Sequence, residues 1–374
     1  MQNKYFDFKV VIILVSMAFI CAAAVGCNNS RELNWRWVIR PEDYEDCCLV
    51  SEDWFAVKGG DGKYSVVDEQ NREVFPGKYD NIAFFREDLS VVCEENTDYF
   101  INKNGEKISG GFQEARSFCE TYAAVKNGGL WGYINHDGVI IIDCQYMEAD
   151  NFSEGFAAVK KNGKWGFIDQ GGVYFTEYEY DEVKSFQEGL AAVMLNDKWG
   201  FLDSSGRTKI DLLYDGAESF SEGKAAVKIG SDQDYADLWA YINSDNEIVV
   251  DFFPYTSIGG GIVYVGEFHD GIAFVSNDFY SIIDENGKYL FRGTDSAFFI
   301  SSLAYNAQYD AIPAYIYTDD SMKIRKYGLM SLNGEQRLEP VFDDVIGIYG
   351  DYVLVSNKVD DGELRYGFIK IWEA

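Results

Sequence analysis

Histidine, proline and positive charge are what this sequence is short of. Two histidines, five prolines and 32 lysines and arginines, set against 62 aspartates and glutamates, give a formal net charge of −30 over 374 residues. A surface that acidic repels phosphate backbones, which excludes nucleic acid as an expected partner. No H-E-x-x-H, G-x-S-x-G, G-x-x-x-x-G-K-[ST] or G-x-G-x-x-G run occurs. Zinc hydrolysis, serine-nucleophile chemistry and nucleotide binding therefore have no motif to rest on, and no cofactor is expected. His136 sits in the polar turn "NHDG" and His269 in "GEFHDG", both reading as surface positions. After Cys27 the cysteines are Cys47, Cys48, Cys93, Cys119 and Cys144, an odd set without C-x-x-C spacing. That excludes a complete disulfide framework and a zinc knuckle. Helical periodicity is missing beyond the N-terminal stretch.

What is abundant is aromatic: 27 Phe, 26 Tyr and 8 Trp. Such side chains favour the pleated, half-buried surface of strands. They are also periodic. "NGKWGFID" at Asn162–Asp169 returns as "NDKWGFLD" at Asn196–Asp203, and "AAVK" or a close variant starts at Ala123, Ala157, Ala191 and Ala225, each 34 residues on. The aromatic-small pairs that follow are Trp131-Gly132, Trp165-Gly166, Trp199-Gly200 and Trp239-Ala240, then Tyr280-Ser281, Tyr327-Gly328 and Tyr366-Gly367. Tyr64-Ser65 and the broken copy Asp98-Tyr99 extend the series upstream, making nine units. A fixed period of this length signals stacked supersecondary units that cannot bury their apolar faces alone. Within a unit, "GFAAVKK" and "KWGFID" flank Asn162-Gly163, a two-residue hairpin turn. With a third extended stretch, each unit holds three strands. The small partner of each ring suggests that the ring of one unit packs over the small residue of its neighbour.

"KWGFID" and "KWGFLD" resemble the WG-containing repeat of bacterial exported and cell-envelope proteins, closely from Ala123 to about Glu222 and loosely elsewhere. The resemblance implies an all-β interaction scaffold and supplies no catalytic residues. The N-terminus points the same way. Lys4 and Lys9 precede an uncharged run from Val10 to Gly26, as in a secretory signal. Ala24-Val25-Gly26-Cys27 then resembles the lipobox of bacterial lipoproteins, with Ala24 where Leu is usual. Cys27 is the expected lipidation site, and the protein is expected to be exported and anchored to the cell membrane or outer membrane, outside the cytoplasm.

The expected organisation is a lipoprotein signal over 1–26, a linker or cap over 27–53 and a β-repeat domain over 54–374, with regular units at 122–224 and divergent ones at 54–121 and 225–374. Spacings of 40, 41, 47 and 39 residues between the later aromatics favour an open twisted array, with propeller-like closure as the alternative. Insertions supply the candidate binding rim. Regular units carry four residues between the "AAVK" strand and the ring, whereas the sixth carries ten, the eighth ten, and the ninth a similar excess. They hold Asp232, Asp234, Tyr235, Asp319, Asp320, Asp360 and Asp361. The "DQDYAD" loop lacks the Gly and closing Glu of an EF-hand and reads as solvated. The function expected is a non-catalytic scaffold binding a protein or an envelope polysaccharide. Carbohydrate binding through exposed rings is the alternative, and a hydrolase built on a chance carboxylate pair the remotest.

Overall fold

Each turn is written into the residues that make it. Asn196 and Asp197 both take positive φ, 52° and 61°. That type I′ geometry matches the twist of flanking strands and joins Leu190–Leu195 to Lys198–Asp203. The Asp that ends each "KWGF" strand closes the next turn. Asp203 Oδ1 accepts the backbone N–H of Ser205 at 2.8 Å and of Arg207 at 3.1 Å. Asp68, Asn102, Asn135, Asp169, Asn243 and Asp284 repeat that double acceptance. A side-chain oxygen that satisfies two turn N–H groups is why Asx residues recur there.

The computed structural model describes residues 33–232, 235–254, 264–276, 280–292, 299–300, 305–317, 325–359 and 362–373. Among them the strands form nine antiparallel sheets. Blades 1 to 8 follow chain order. Blade 3, for example, runs Glu114–Ala115, Tyr122–Asn127, Leu130–Asn135 and Ile140–Tyr146. A short first strand joins the three expected ones, so seven of the nine sheets hold four strands. Blade 9 takes Asp344–Tyr349, Tyr352–Lys358 and Leu364–Glu373 from the C-terminus and its outermost strand, Leu33–Ile39, from the start of the ring. Leu33 pairs with Glu373 and Trp37 with Ile369. Residues 33–39 and 46–49, within the stretch assigned to a linker or cap, are thus strands of the last and first blades.

Nine apolar clusters, one at each junction, carry the sequence of blades round to its start. The cluster of Ile39, Phe55, Val57, Tyr352 and Phe368 closes blade 9 onto blade 1. The chain is therefore a nine-bladed β-propeller, and the open array favoured by the spacing is not formed. Part of the extra length in the later units extends second-to-third hairpins, as in the blade 6 ladder through Ser231↔Asp237, and the unequal spacing did not prevent closure. Side-chain size follows the taper between radiating blades. Second strands carry small, fully buried residues such as Ala123, Ala124 and Val125; third strands carry Tyr133, Phe167, Phe201 and Tyr241. Sheets lie closest near the axis, so the Ala-rich strands face inward and the fourth strands form the perimeter.

The small residue after each ring has a different role from the one expected. Facing Gly200, two steps along the third strand (Trp199↔Tyr214 to Phe201↔Ile210) match four on the fourth. The fourth strand bulges over the glycine, and a Cβ at Gly200 would lie 2.5 Å from the Ile210 carbonyl oxygen. Gly132 and Gly328 face the same arrangement. At Ala240 the bulge holds one extra residue, and at Ser281 there is none. Ser65 departs from the trend, with Pro76 and Gly77 in the facing bulge. What approaches the glycine is thus its own sheet's backbone, not a neighbouring ring. The rings do enter the blade junctions: Trp131 lies in the cluster with Ala149 and Phe152 of blade 4, and Trp199 in that with Ala217 of blade 6. Gly200→Ala is expected to cost about 1–3 kcal/mol by overpacking, whereas Ser281→Ala stays within about 0.5 kcal/mol. Urea unfolding of both variants checks the contrast.

Candidate functional site

Antiparallel alternation sorts the turns onto two faces. The second-to-third hairpins lie on one face, and the first-to-second and third-to-fourth turns on the other. On this second face a chain of carboxylates runs from blade to blade. Glu120 accepts the backbone N–H of Glu154 at 2.5 Å and of Gly155 at 2.8 Å. Glu154 accepts from Gly189 at 2.8 Å, Glu188 from Gly223 at 2.8 Å and Glu222 from Gly271 at 2.9 Å. Glu87 accepts from Thr121 at 3.0 Å and meets His136 Nε2 at 2.8 Å. Each of these glutamates itself sits at positive φ, between 52° and 55°, a region unfavourable for a side chain of that size. The bond to the next blade offsets that cost by about 0.5–1.5 kcal/mol each. In blades 4 to 6 the glutamate stands before a glycine, a Glu-Gly step, and the recurrence of Glu at 87, 120, 154, 188 and 222 is the signal for it in the sequence.

The hairpin face has its own ties. Asp80, Asp181 and Asp343 pair with Lys63, Lys164 and Lys326, which lie at or next to the start of their unit's third strand. Their second carboxylate oxygens accept the N–H of Glu95 at 2.8 Å, Asn196 at 3.1 Å and Lys358 at 2.7 Å in the next blade's hairpin. The Lys63 and Lys164 hydrogen bonds hold Asp80 and Asp181 below the usual aspartate range. Between these hairpins on blades 1 and 2 lies a cleft of about 330 Å³ lined by Lys63, Lys78, Glu94, Glu95, Thr97 and Tyr99. Lys78 pairs with Asp61 at 3.4 Å, so both lysines in it are engaged. Another, of about 240 Å³, lies beside Trp35 and Arg337 at the junction of blades 8 and 9. Arg337 donates Nε at 2.9 Å and Nη2 at 2.7 Å to the Tyr309 carbonyl, a tie within blade 8.

The insertions enlarge hairpins of this face. In blade 6 the ladder extends through Ser231↔Asp237 and Asp232↔Tyr235, beyond the point where blade 4 turns at Lys161↔Lys164. Blade 8 pairs up to Tyr317↔Arg325 and blade 9 to Lys358↔Leu364. Asp232 and Tyr235 lie on described strands, while Cys27, Asp234, Asp319, Asp320, Asp360 and Asp361 lie outside the described residues. The motif residues are at the blade junctions. Trp131 and Trp199 are buried, Trp165 and Trp239 half-buried, and Tyr327 and Tyr366 pack against the clusters flanking blade 9. Gly166 faces the Glu177 carbonyl and Gly367 that of Ile39, each too close for a Cβ. Of Tyr280 only the backbone, in blade 7, is described. His269 is exposed, 3.8 Å from Glu267. Cys47, Cys48, Cys93, Cys119 and Cys144 are all free thiols. Burial, with Asp46 beside it, pushes Cys48 up to about 11, so it stays protonated and unreactive at neutral pH.

A family model described as "WG containing repeat" matches the chain five times, at residues 64–97, 100–131, 131–165, 165–199 and 199–231. No curated protein matches the sequence significantly. Among solved structures, one described as the crystal structure of a eukaryotic initiation factor aligns at a TM-score of 0.56 and 10% identity, over 82% of this chain and 88% of its own. Dihydro-heme d1 dehydrogenase NirN in complex with DHE aligns at a TM-score of 0.42 and 16% identity, over 86% and 74%. At these identities the first likeness concerns fold alone, and the second carries no weight.

The depressed aspartates set an acid limit. Their contribution is complete above the unfolded-state pKa of about 3.9 and is lost as pH falls through the lower folded-state values. Stability is therefore expected to fall steadily below about pH 4, and Asp181→Asn to flatten part of that decline. Tryptophan fluorescence of urea unfolding between neutral and strongly acid pH measures both.

Proposed function

For a chain that the WG-containing repeat model matches five times and that closes its copies into a nine-bladed propeller, we propose a non-catalytic, lipid-anchored scaffold outside the cytoplasm. It binds a protein or another envelope component through its hairpin face. The observation that carries this reading is where the repeat departs from itself. Rings, glycines, turn aspartates and the Glu-Gly step are all engaged within the propeller, while the second-to-third hairpins of blades 6, 8 and 9, all on one face, each carry added residues. Insertions confined to one face of a repeat array commonly form its binding side. Sugar binding by stacked rings has less support, because Trp131 and Trp199 are buried.

Labelling with radioactive palmitate tests the anchor. Wild-type cells are expected to incorporate the label and Cys27→Ala cells to lose it; equal labelling would remove the anchor from the proposal. Exchanging residues 229–238 for the Lys-Asn-Gly-Lys of blade 4 tests the face. Capture of the envelope partner is expected to fall by about tenfold or more, the equivalent of 1.4 kcal/mol, with the β-sheet circular dichroism unchanged. Undiminished capture would move the binding side elsewhere.

A further inference from the structure

The eight third-to-fourth turns allow one position to be compared across blades. Immediately after the turn residue of positive φ stand Arg72, Glu106, Arg207, Glu247, Lys288 and Glu335, all charged. Blades 3 and 4 have Val139 and Val173 there, 55% and 62% exposed. Tyr174 beside Val173 is 59% exposed, and Ile140 and Ile141, opening the fourth strand of blade 3, are also exposed. These residues adjoin one another: the turn of blade 4 leans on blade 3, a Cβ at Gly172 falling 3.3 Å from Ile142 Cγ1.

The strand under this patch also lacks guarding residues of its own. Fourth strands end their sheets, with no strand hydrogen-bonded beyond them among the described residues. Proteins protect such edges with proline or with charged, especially lysine, side chains. Blade 1 has Pro76 and Lys78 in that strand, blade 5 Lys209, blade 6 Pro254, blade 7 Arg292, blade 8 Pro340 and blade 9 Arg36. Ile140–Tyr146 of blade 3, "IIIDCQY", has neither Pro, Lys nor Arg. Around its turn end, residues 136–143 and 169–179 carry Asp137, Asp143, Asp169, Glu177 and Glu179. The lysine that reaches the strand, Lys161 of blade 4, is engaged at its far end, donating Nζ to Gln145 Oε1 at 3.2 Å and lying 6.0 Å from the Tyr174 ring centre.

We propose that this edge of blade 3, flanked by Val139, Val173 and Tyr174, docks an extended segment of a basic protein whose apolar side chains alternate with lysines or arginines. An added strand satisfies the free edge, its apolar side chains cover the valines and tyrosine, and its charges meet the acidic margin. Charge argues against a second copy as occupant, since each chain carries −30. The site lies at the perimeter and depends on neither the anchor nor the hairpin face.

The test uses a fluorescently labelled synthetic peptide of alternating valine and lysine, titrated into the purified full-length protein and followed by anisotropy. Saturable binding is expected, weakened by about tenfold or more, 1.4 kcal/mol, in Ile141→Lys and in Val139→Glu. Both place in blade 3 a kind of side chain that other blades already carry, so circular dichroism should be unchanged. Leu213→Lys, on the exposed edge of blade 5, should leave binding intact. The proposal is overturned by an absence of saturable binding, by undiminished binding in both blade 3 variants, or by equal loss in Leu213→Lys, which would indicate diffuse attraction. Sedimentation showing that wild type self-associates and Ile141→Lys does not would make a second copy the occupant, and would overturn it too.

Discussion

A sheet that is apolar on both faces cannot be the end of a stack. Every blade here presents such faces: Val125 points into the junction with blade 2 while Ala124 points into that with blade 4. Burial is worth about 25 cal/mol per Å² of apolar surface, so an open stack would leave two such faces in water at its ends. Returning the last blade to the first removes both ends without a dedicated cap. The seam strand, Leu33–Ile39, holds that return with a ladder of backbone bonds. From this one constraint follow the Ala-rich inner strands, the larger rings outside them, and a perimeter of unpaired edges.

The polar arrangement solves a second difficulty, the heavy excess of acid. Many of these carboxylates are acceptors for backbone N–H groups that turns would otherwise leave to water. Turn aspartates serve their own loops, glutamates of the Glu-Gly step serve the next blade on one face, and Asp80, Asp181 and Asp343 do so on the other. Negative charge is therefore part of how neighbouring blades are joined, beyond any effect on solubility.

Much of this was legible in the letters. The period, the hairpin at Asn162-Gly163 and the number of units came from local chemistry that repeats. Closure did not, because the pairing of Trp37 with Ile369 joins segments at opposite ends of the ring, and the first of them carries no copy of the repeat. The role of Gly200 was misread for a related reason: periodicity identifies a small residue, but which backbone crowds it depends on a bulge formed ten residues later. The Glu-Gly step was visible as a recurrence, yet its carboxylate acts across a junction that only the assembled ring creates. As for the candidate face, alternation of strands placed the hairpins together, while the apolar edge of blade 3 emerges only when equivalent positions are superimposed.

The seam also imposes an order of events. Leu33–Ile39 is the first ring strand to leave the ribosome, and its partner, Leu364–Glu373, is the last. At usual elongation speeds of 5–20 residues per second the interval is roughly 20 to 70 s. The earliest-made strand must wait unpaired for the entire translation, and the entropic surcharge for so long a loop is small, about 0.6 kcal/mol per doubling. Joining of these two strands thus acts as a check on the ring, since a chain stalled before Leu364 lacks the strand that would lock the circle.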